Sequence, residues 1–302
     1  MTMPTKRKAA KPMNEHSLIR VMTALVTEPW LLTPSMHKTL CDIVTAHVIN
    51  PEQQHALASA MPQNPSPRAF AMAGDNVAVI PVDGVIGRKF SSSLYSSGVT
   101  SVDVLARLVD MAAGDDEVNA ILMVYDSPGG TVQGVAECSN AIMRARESKP
   151  VVAYADGQMC SAAYWMASQS SAIYAWDEAC IGSIGVYSAF LDRSREMEMA
   201  GIKPMIFKSG EHKAMGFVGT SLTEKERAMI QARVDDIGAK FRSTVSAGRA
   251  RTIADDVMQG QSFTASESLA NGLIDSISNY ATALKDAGAL GRQEKQKKEG
   301  KQ

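Results

Sequence analysis

Histidine is scarce in this 302-residue chain and poorly placed: His16, His37, His47 and His55 all precede residue 60, and only His212 follows it. Any Ser-His-Asp arrangement in the remainder must use that one ring. Charge of either sign is equally unhelpful as a clue to partners. Lys plus Arg number 31 and Asp plus Glu 32, a net charge of −1, which gives no electrostatic case for nucleic-acid binding. Cysteine is limited to Cys41, Cys138, Cys160 and Cys180, without paired or metal-type spacing. They read as reduced thiols of a cytoplasmic protein, with no metal site. A long hydrophobic run is missing too: the best stretch, 17–32, is broken by Arg20, Glu28 and Pro29, so no membrane anchor is expected. Lys6, Arg7, Lys8 and Lys11 imitate the basic start of a signal peptide, but no clean small-residue cleavage pattern follows them.

What remains is an ordinary globular composition, 45% hydrophobic and 21% charged, without internal repeats. Residues 1–15 are polar and basic and read as disordered. Residues 16–60 have helical patterning broken by prolines, forming a helical N-terminal appendage, and the Pro-rich start of 61–73 reads as a linker. From 74 to 285 the texture becomes α/β. Val77–Val82 and Val85-Ile86 are expected as strand, turn and strand; 101–114 as a helix; 118–125 as a buried strand; 134–146 as an amphipathic helix. Further strands are expected at 151–155, 172–176, 203–207 and 273–277, with helices at 161–168, 190–200 and 265–270. Thr223 and Glu226 form a capping box that starts a long helix reaching about Gly248. The alternation argues for a parallel β-sheet core wrapped by helices. The charged, apolar-poor tail 286–302 reads as solvated or disordered.

Three places carry chemistry. Asp126-Ser127-Pro128-Gly129-Gly130 follows a buried apolar run, and paired glycines there leave backbone N–H groups unshielded. The Gly130 N–H suits a developing oxyanion, although the same residues also make a plain strand-end turn. Ser161 opens a helix, either as its cap or as a nucleophile with small neighbours, Ala162 and Ala163, and the Ala162 N–H at its side. Cys160 is a rival nucleophile whose plainer role is a buried thiol. For a base the chain offers His212 or Lys213, and spacing does not choose between them. A lysine base must be neutral, which requires burial; Ala214, Met215, Phe217 and Val218 are apolar enough to supply it. Ser183, between Gly182 and Ile184-Gly185, either orients such a base or occupies a glycine-flanked turn.

The ordered series Ser-Pro-Gly-Gly, Ser161-Ala162-Ala163-Tyr164, Gly182-Ser183-Ile184-Gly185 and Lys208-Ser209-Gly210-x-x-Lys213 resembles the signal peptide peptidase A family of serine–lysine peptidases. The likeness covers roughly residues 75–280 and implies a Clp protease/crotonase-like fold. It implies Ser161 as nucleophile, Lys213 as general base, Ser183 as the residue that orients Lys213, and the N–H groups of Gly130 and Ala162 as the oxyanion hole, with no cofactor. Ala162-Ala163 departs from the Gly-Gly of many members, which bears on pocket shape, and membrane members carry an anchor not found here. Glu28-Pro29-Trp30-Leu31-Leu32-Thr33-Pro34 is instead similar to the start of phage capsid proteases of the lambda protein C type. That likeness implies protein substrates, namely scaffold and portal-associated capsid proteins, a homo-oligomer, and a site of action in the host cytoplasm within the assembling procapsid. A cytoplasmic enzyme degrading peptides is the alternative, and an inactive capsid assembly protein is the non-enzyme one. A crotonase-type acyl-CoA enzyme is disfavoured because no carboxylate pair for hydration chemistry is apparent.

Overall fold

The computed structural model describes residues 29–32, 70–88 and 99–300. The expected disordered start 1–15, nearly all of the helical segment 16–60 and most of the linker therefore lie outside the described residues. Two fragments of those segments are strands: β1 (Trp30–Leu32), inside the segment read as helical, and β2 (Ala71–Ala73), at the linker's end.

After a short 3-10 turn at Gly74–Asn76 come β3 (Val77–Gly87), β4 (Val99–Ser101), α1 (Val102–Gly114), β5 (Ala120–Thr131), α2 (Val135–Ser148) and β6 (Val151–Cys160). Then follow α3 (Ala162–Ala167), β7 (Ala172–Ala175), β8 (Cys180–Gly182), α4 (Ser194–Met199), α5 (Glu224–Arg249), β9 (Ser262–Thr264), α6 (Ala265–Ala270), β10 (Ser276–Ile277) and α7 (Tyr280–Glu299). The sheet runs β10-β7-β6-β5-β3-β2, parallel except at the β2 edge.

Alternation along the strands sends side chains to two faces. Ala78, Ile80, Val82, Ile121, Met123, Tyr125, Val151 and Ala153 join the main core with α1, α2, α3 and α5. Val77, Ala120, Leu122, Val152 and Tyr154 form the other face, closed by Ala283 and Ala287 of α7. Helices on both faces are what a parallel sheet of near-continuous apolar strands requires.

The long strands bend. Register shifts between Asp83 and Val85 on β3, and between Tyr125 and Ser127 on β5, mark the points where each strand changes partners. Beyond them β3 pairs β4, β5 pairs β1, and the end of β6 pairs β8, which in turn pairs β9. The expected strand–turn–strand at 77–86 is thus one bent strand, with Gly84 (φ 65°) at the bend. The Ser-Pro-Gly-Gly run is likewise no turn but part of β5, hydrogen-bonded into the sheet on both sides.

Three further expectations change. Residues 203–207 form no strand; Met205 and Phe207 are exposed and no sheet edge reaches them. Residues 286–299 are not a loose tail but the greater part of α7, which buries Ala287, Gly288 and Gly291 and donates from Lys298 Nζ to the Ser148 carbonyl. The expected helix at 190–200 shrinks to α4.

Candidate active site

β6 delivers Ser161 to the point where the sheet ends and α3 begins. Asp126 shapes that approach: its Oδ1 accepts from the Gln158 N–H at 3.0 Å, and a side chain at Gly157 would strike its carboxylate. Beside it, burial raises the Asp83 carboxyl above the usual range, helped by the charges of Asp126 and Asp156.

Ser161 has φ 55° and ψ −117°, a conformation that glycine adopts freely and a residue with a Cβ resists. The strained turn is held from both directions. The Ser161 N–H donates to Gly182 O at 2.8 Å, and Ser161 O accepts from the Trp165 N–H at 2.9 Å. The residue is buried, yet among the described residues its Oγ has no hydrogen-bond partner and caps nothing. A buried hydroxyl without a partner is costly, so a plain helix-cap role does not account for it.

Gly129 (φ 106°) lies against this hydroxymethyl group: a Cβ there would come within 2.9 Å of Ser161 Cβ. Gly130 is backed by Ile86, whose backbone a Cβ would overlap. Both glycines are therefore dictated by close backbone approach. Ala162, fully buried, follows Ser161 as the first residue of α3. Ser183 lies just beyond Gly182, also with positive φ (50°), and its N–H donates to Gln261 O at 2.6 Å. Ser161, Ala162, Gly130 and Ser183 are thus gathered around the crossing of β5, β6 and β8.

Lys213 is not gathered with them. It is exposed, in a stretch where Phe207, Phe217 and Val218 are exposed too, and among the described residues no hydrogen bond joins it to Ser161 or Ser183. His212 is half-buried, with Nε2 3.5 Å from Glu211 Oε2, and Glu211 also pairs with Lys225 at 3.1 Å.

Cys160 and Cys180 are close, although 20 positions apart: their sulfurs are 3.8 Å from one another. The Cys160 S–H donates to the Cys180 sulfur, which brings the Cys180 thiol down to about 6 while Cys160, buried, keeps its proton. Linear spacing gave no sign of this contact, because parallel β6 and β8 create it. A cavity of about 420 Å³ bounded by Tyr154, Asp156, Trp176 and Tyr280 contains none of the gathered residues.

A family model, peptidase family S49, matches residues 143–294, a span holding Ser161, Ser183 and Lys213. The chain belongs to that family. Capsid assembly protease C of Escherichia phage lambda is 31% identical to this family member over 70% of the chain and 48% of its own length. Head-tail preconnector protein GP5 of Enterobacteria phage P21 is 27% identical over 89% of the chain and 57% of its own length. Protease 4 of Haemophilus influenzae is 27% identical over 72% and 35%. The chain therefore spans about half the length of the curated phage relatives it matches. Among solved structures, a membrane-bound stomatin-specific protease bound to a substrate peptide superposes with TM-score 0.43 at 17% identity, over 71% of this chain and 81% of that one. The chain is thus a member of peptidase family S49, and its relatives include a phage capsid assembly protease. Among the described residues of this S49 member, no helix is long and apolar enough to cross a membrane.

Proposed function

We propose that the protein is a serine endopeptidase with a Ser161–Lys213 dyad that cleaves scaffold and portal-associated proteins during phage or prophage head maturation. The observation that carries the chemistry is Ser161 itself, strained, buried and, among the described residues, without a hydrogen-bond partner for its Oγ beside Gly129-Gly130. The likeness to a capsid assembly protease and a head-tail preconnector protein supports the setting.

Ser161 Oγ attacks a peptide carbonyl carbon while neutral Lys213 Nζ takes its proton. The N–H groups of Gly130 and Ala162 hold the oxyanion, and Lys213 returns the proton to the leaving amine. Water then hydrolyses the acyl ester by the same route. Ser183 orients the lysine. A neutral amine demands burial, which the single chain does not give Lys213. The homo-oligomer supplies it: a second copy covers the exposed Leu191, Phe207, Phe217 and Val218 around the lysine's segment.

Cleavage of a casein or capsid-protein substrate by purified variants tests the dyad. Ser161→Ala and Lys213→Ala should each lose on the order of a thousandfold in kcat, and His212→Ala should keep most activity. An inactive His212→Ala with an active Lys213→Ala would assign the base to the imidazole instead. Cleavage of a portal or scaffold protein encoded beside this gene, against none of unrelated unfolded polypeptides, checks the setting.

A further inference from the structure

β1 lies where a peptide would have to lie. Trp30, Leu31 and Leu32 run antiparallel to the end of β5, opposite Thr131, Gly130 and Gly129 respectively. On its other side β1 is bridged to Tyr187, four residues past Ser183: the Trp30 N–H donates to Tyr187 O at 2.8 Å, and the Tyr187 N–H to Trp30 O at 3.2 Å. Neighbouring residues of a strand turn their backbone groups to opposite sides. Since those of Trp30 face Tyr187, those of Leu31 face Gly130. The Leu31 carbonyl oxygen accordingly crowds the Cα of Gly129, in the space that Ser161 Cβ also borders.

An extended polypeptide that pairs with the β5 edge next to the nucleophile has one position available, and residues of this chain fill it. Trp30 and Leu31 are almost wholly buried there. β1 thus lies beside the buried Ser161 hydroxymethyl group, across Gly129 from it.

We propose that Trp30–Leu32 is an internal occupant of the peptide cleft, with the Leu31 carbonyl placed where a scissile carbonyl is held. This deepens the peptidase reading and rests on it in taking Ser161 and Gly130 as the reacting centre. Two consequences follow. The chain in this arrangement is self-inhibited until β1 leaves. The substrate class is an extended segment with a bulky apolar residue on the acyl side of the cut bond and another large apolar residue before it.

The experiment uses the full chain, a serine-directed fluorophosphonate probe, and a synthetic peptide spanning residues 28–34. Leu31→Asp, which puts a charge in a fully buried place, should expel β1 and label Ser161 at least about tenfold faster than the unaltered chain. Adding the peptide should suppress that labelling, and should slow hydrogen exchange at 129–131 and 187. A folded Leu31→Asp chain that labels at the unaltered rate overturns the proposal, as does a peptide that changes neither labelling nor exchange. Where Leu31→Asp does not fold, Leu31→Ala takes its place, keeping the backbone pairing while shedding apolar contact; faster labelling supports the proposal and an unchanged rate overturns it. Exchange protection by the peptide with no labelling of Ser161 in any variant would leave the cleft standing and remove the nucleophile assignment.

Discussion

Ser161 keeps a backbone conformation that its side chain opposes, and two hydrogen bonds, to Gly182 O and from the Trp165 N–H, hold it there. The strain is of the order of 1–3 kcal/mol and is separable from the hydroxyl. Ser161→Gly and Ser161→Ala both delete the hydroxyl, so their difference reads the backbone alone. The glycine variant should resist urea better than the alanine variant by about 1 kcal/mol; equal midpoints would show that no strain is stored at this residue. Cys180 is the second residue with a measurable signature. Its thiolate, stabilised by the Cys160 S–H, should gain reactivity toward iodoacetamide as pH rises through about 6. Replacing Cys160 with alanine removes the donor, and the midpoint should then move upward. A midpoint unaffected by that replacement would mean the sulfurs are not coupled.

At the scale of elements, α5, β7 and β10 meet on one carboxylate. Burial alone would raise Asp275, but the Arg249 guanidinium at 2.6 Å, the Ile173 N–H at 2.8 Å and Arg251 at 2.7 Å hold it below the usual carboxylate range. A depressed folded pKa means stability present at neutral pH and lost as pH falls through that lowered value. Asp275→Asn strands the buried Arg249 and should cost about 3 kcal/mol at pH 7, with a smaller penalty at low pH, read from urea melts at both. The elements were legible to different degrees. The capping box of Thr223 and Glu226 is present as read, and the apolar runs at 118–125 and 151–155 are central strands. Met205-Ile206-Phe207 has a strand's composition but no edge to join, which local pattern does not reveal. In α7 the buried stripe is Ala283, Ala287, Gly288 and Gly291, small residues whose packing value hydropathy underrates beside so many lysines. Of the candidate site, the sequence motifs that meet in space are those joined close to the backbone, as Gly129, Ser161 and Gly182 are, whereas the motif holding Lys213 stays apart. The Cys160–Cys180 contact and the place of Trp30–Leu32 depend on which strands become neighbours, and a linear reading holds no such information.

For the molecule as a whole, the contrast is between a densely buried sheet and the 186–220 region, where Leu191 and Phe207 are about nine-tenths exposed. Apolar surface on that scale calls for a covering partner. Under the oligomer proposed above, Leu191→Asp with Phe207→Asp should shift the protein to smaller species in analytical ultracentrifugation. Peptidase activity should fall with it, because Lys213 returns to solvent. Unchanged mass with unchanged activity would place the covering surface elsewhere.

α7 covers the sheet face of Val77, Leu122 and Val152 and is held along its length by the edge-on contact of Tyr280 with Tyr154, the Arg292–Asp75 ion pair and Lys298 Nζ on the Ser148 carbonyl. Removing α7 would therefore bare one face of the central strands rather than shed a loose tail.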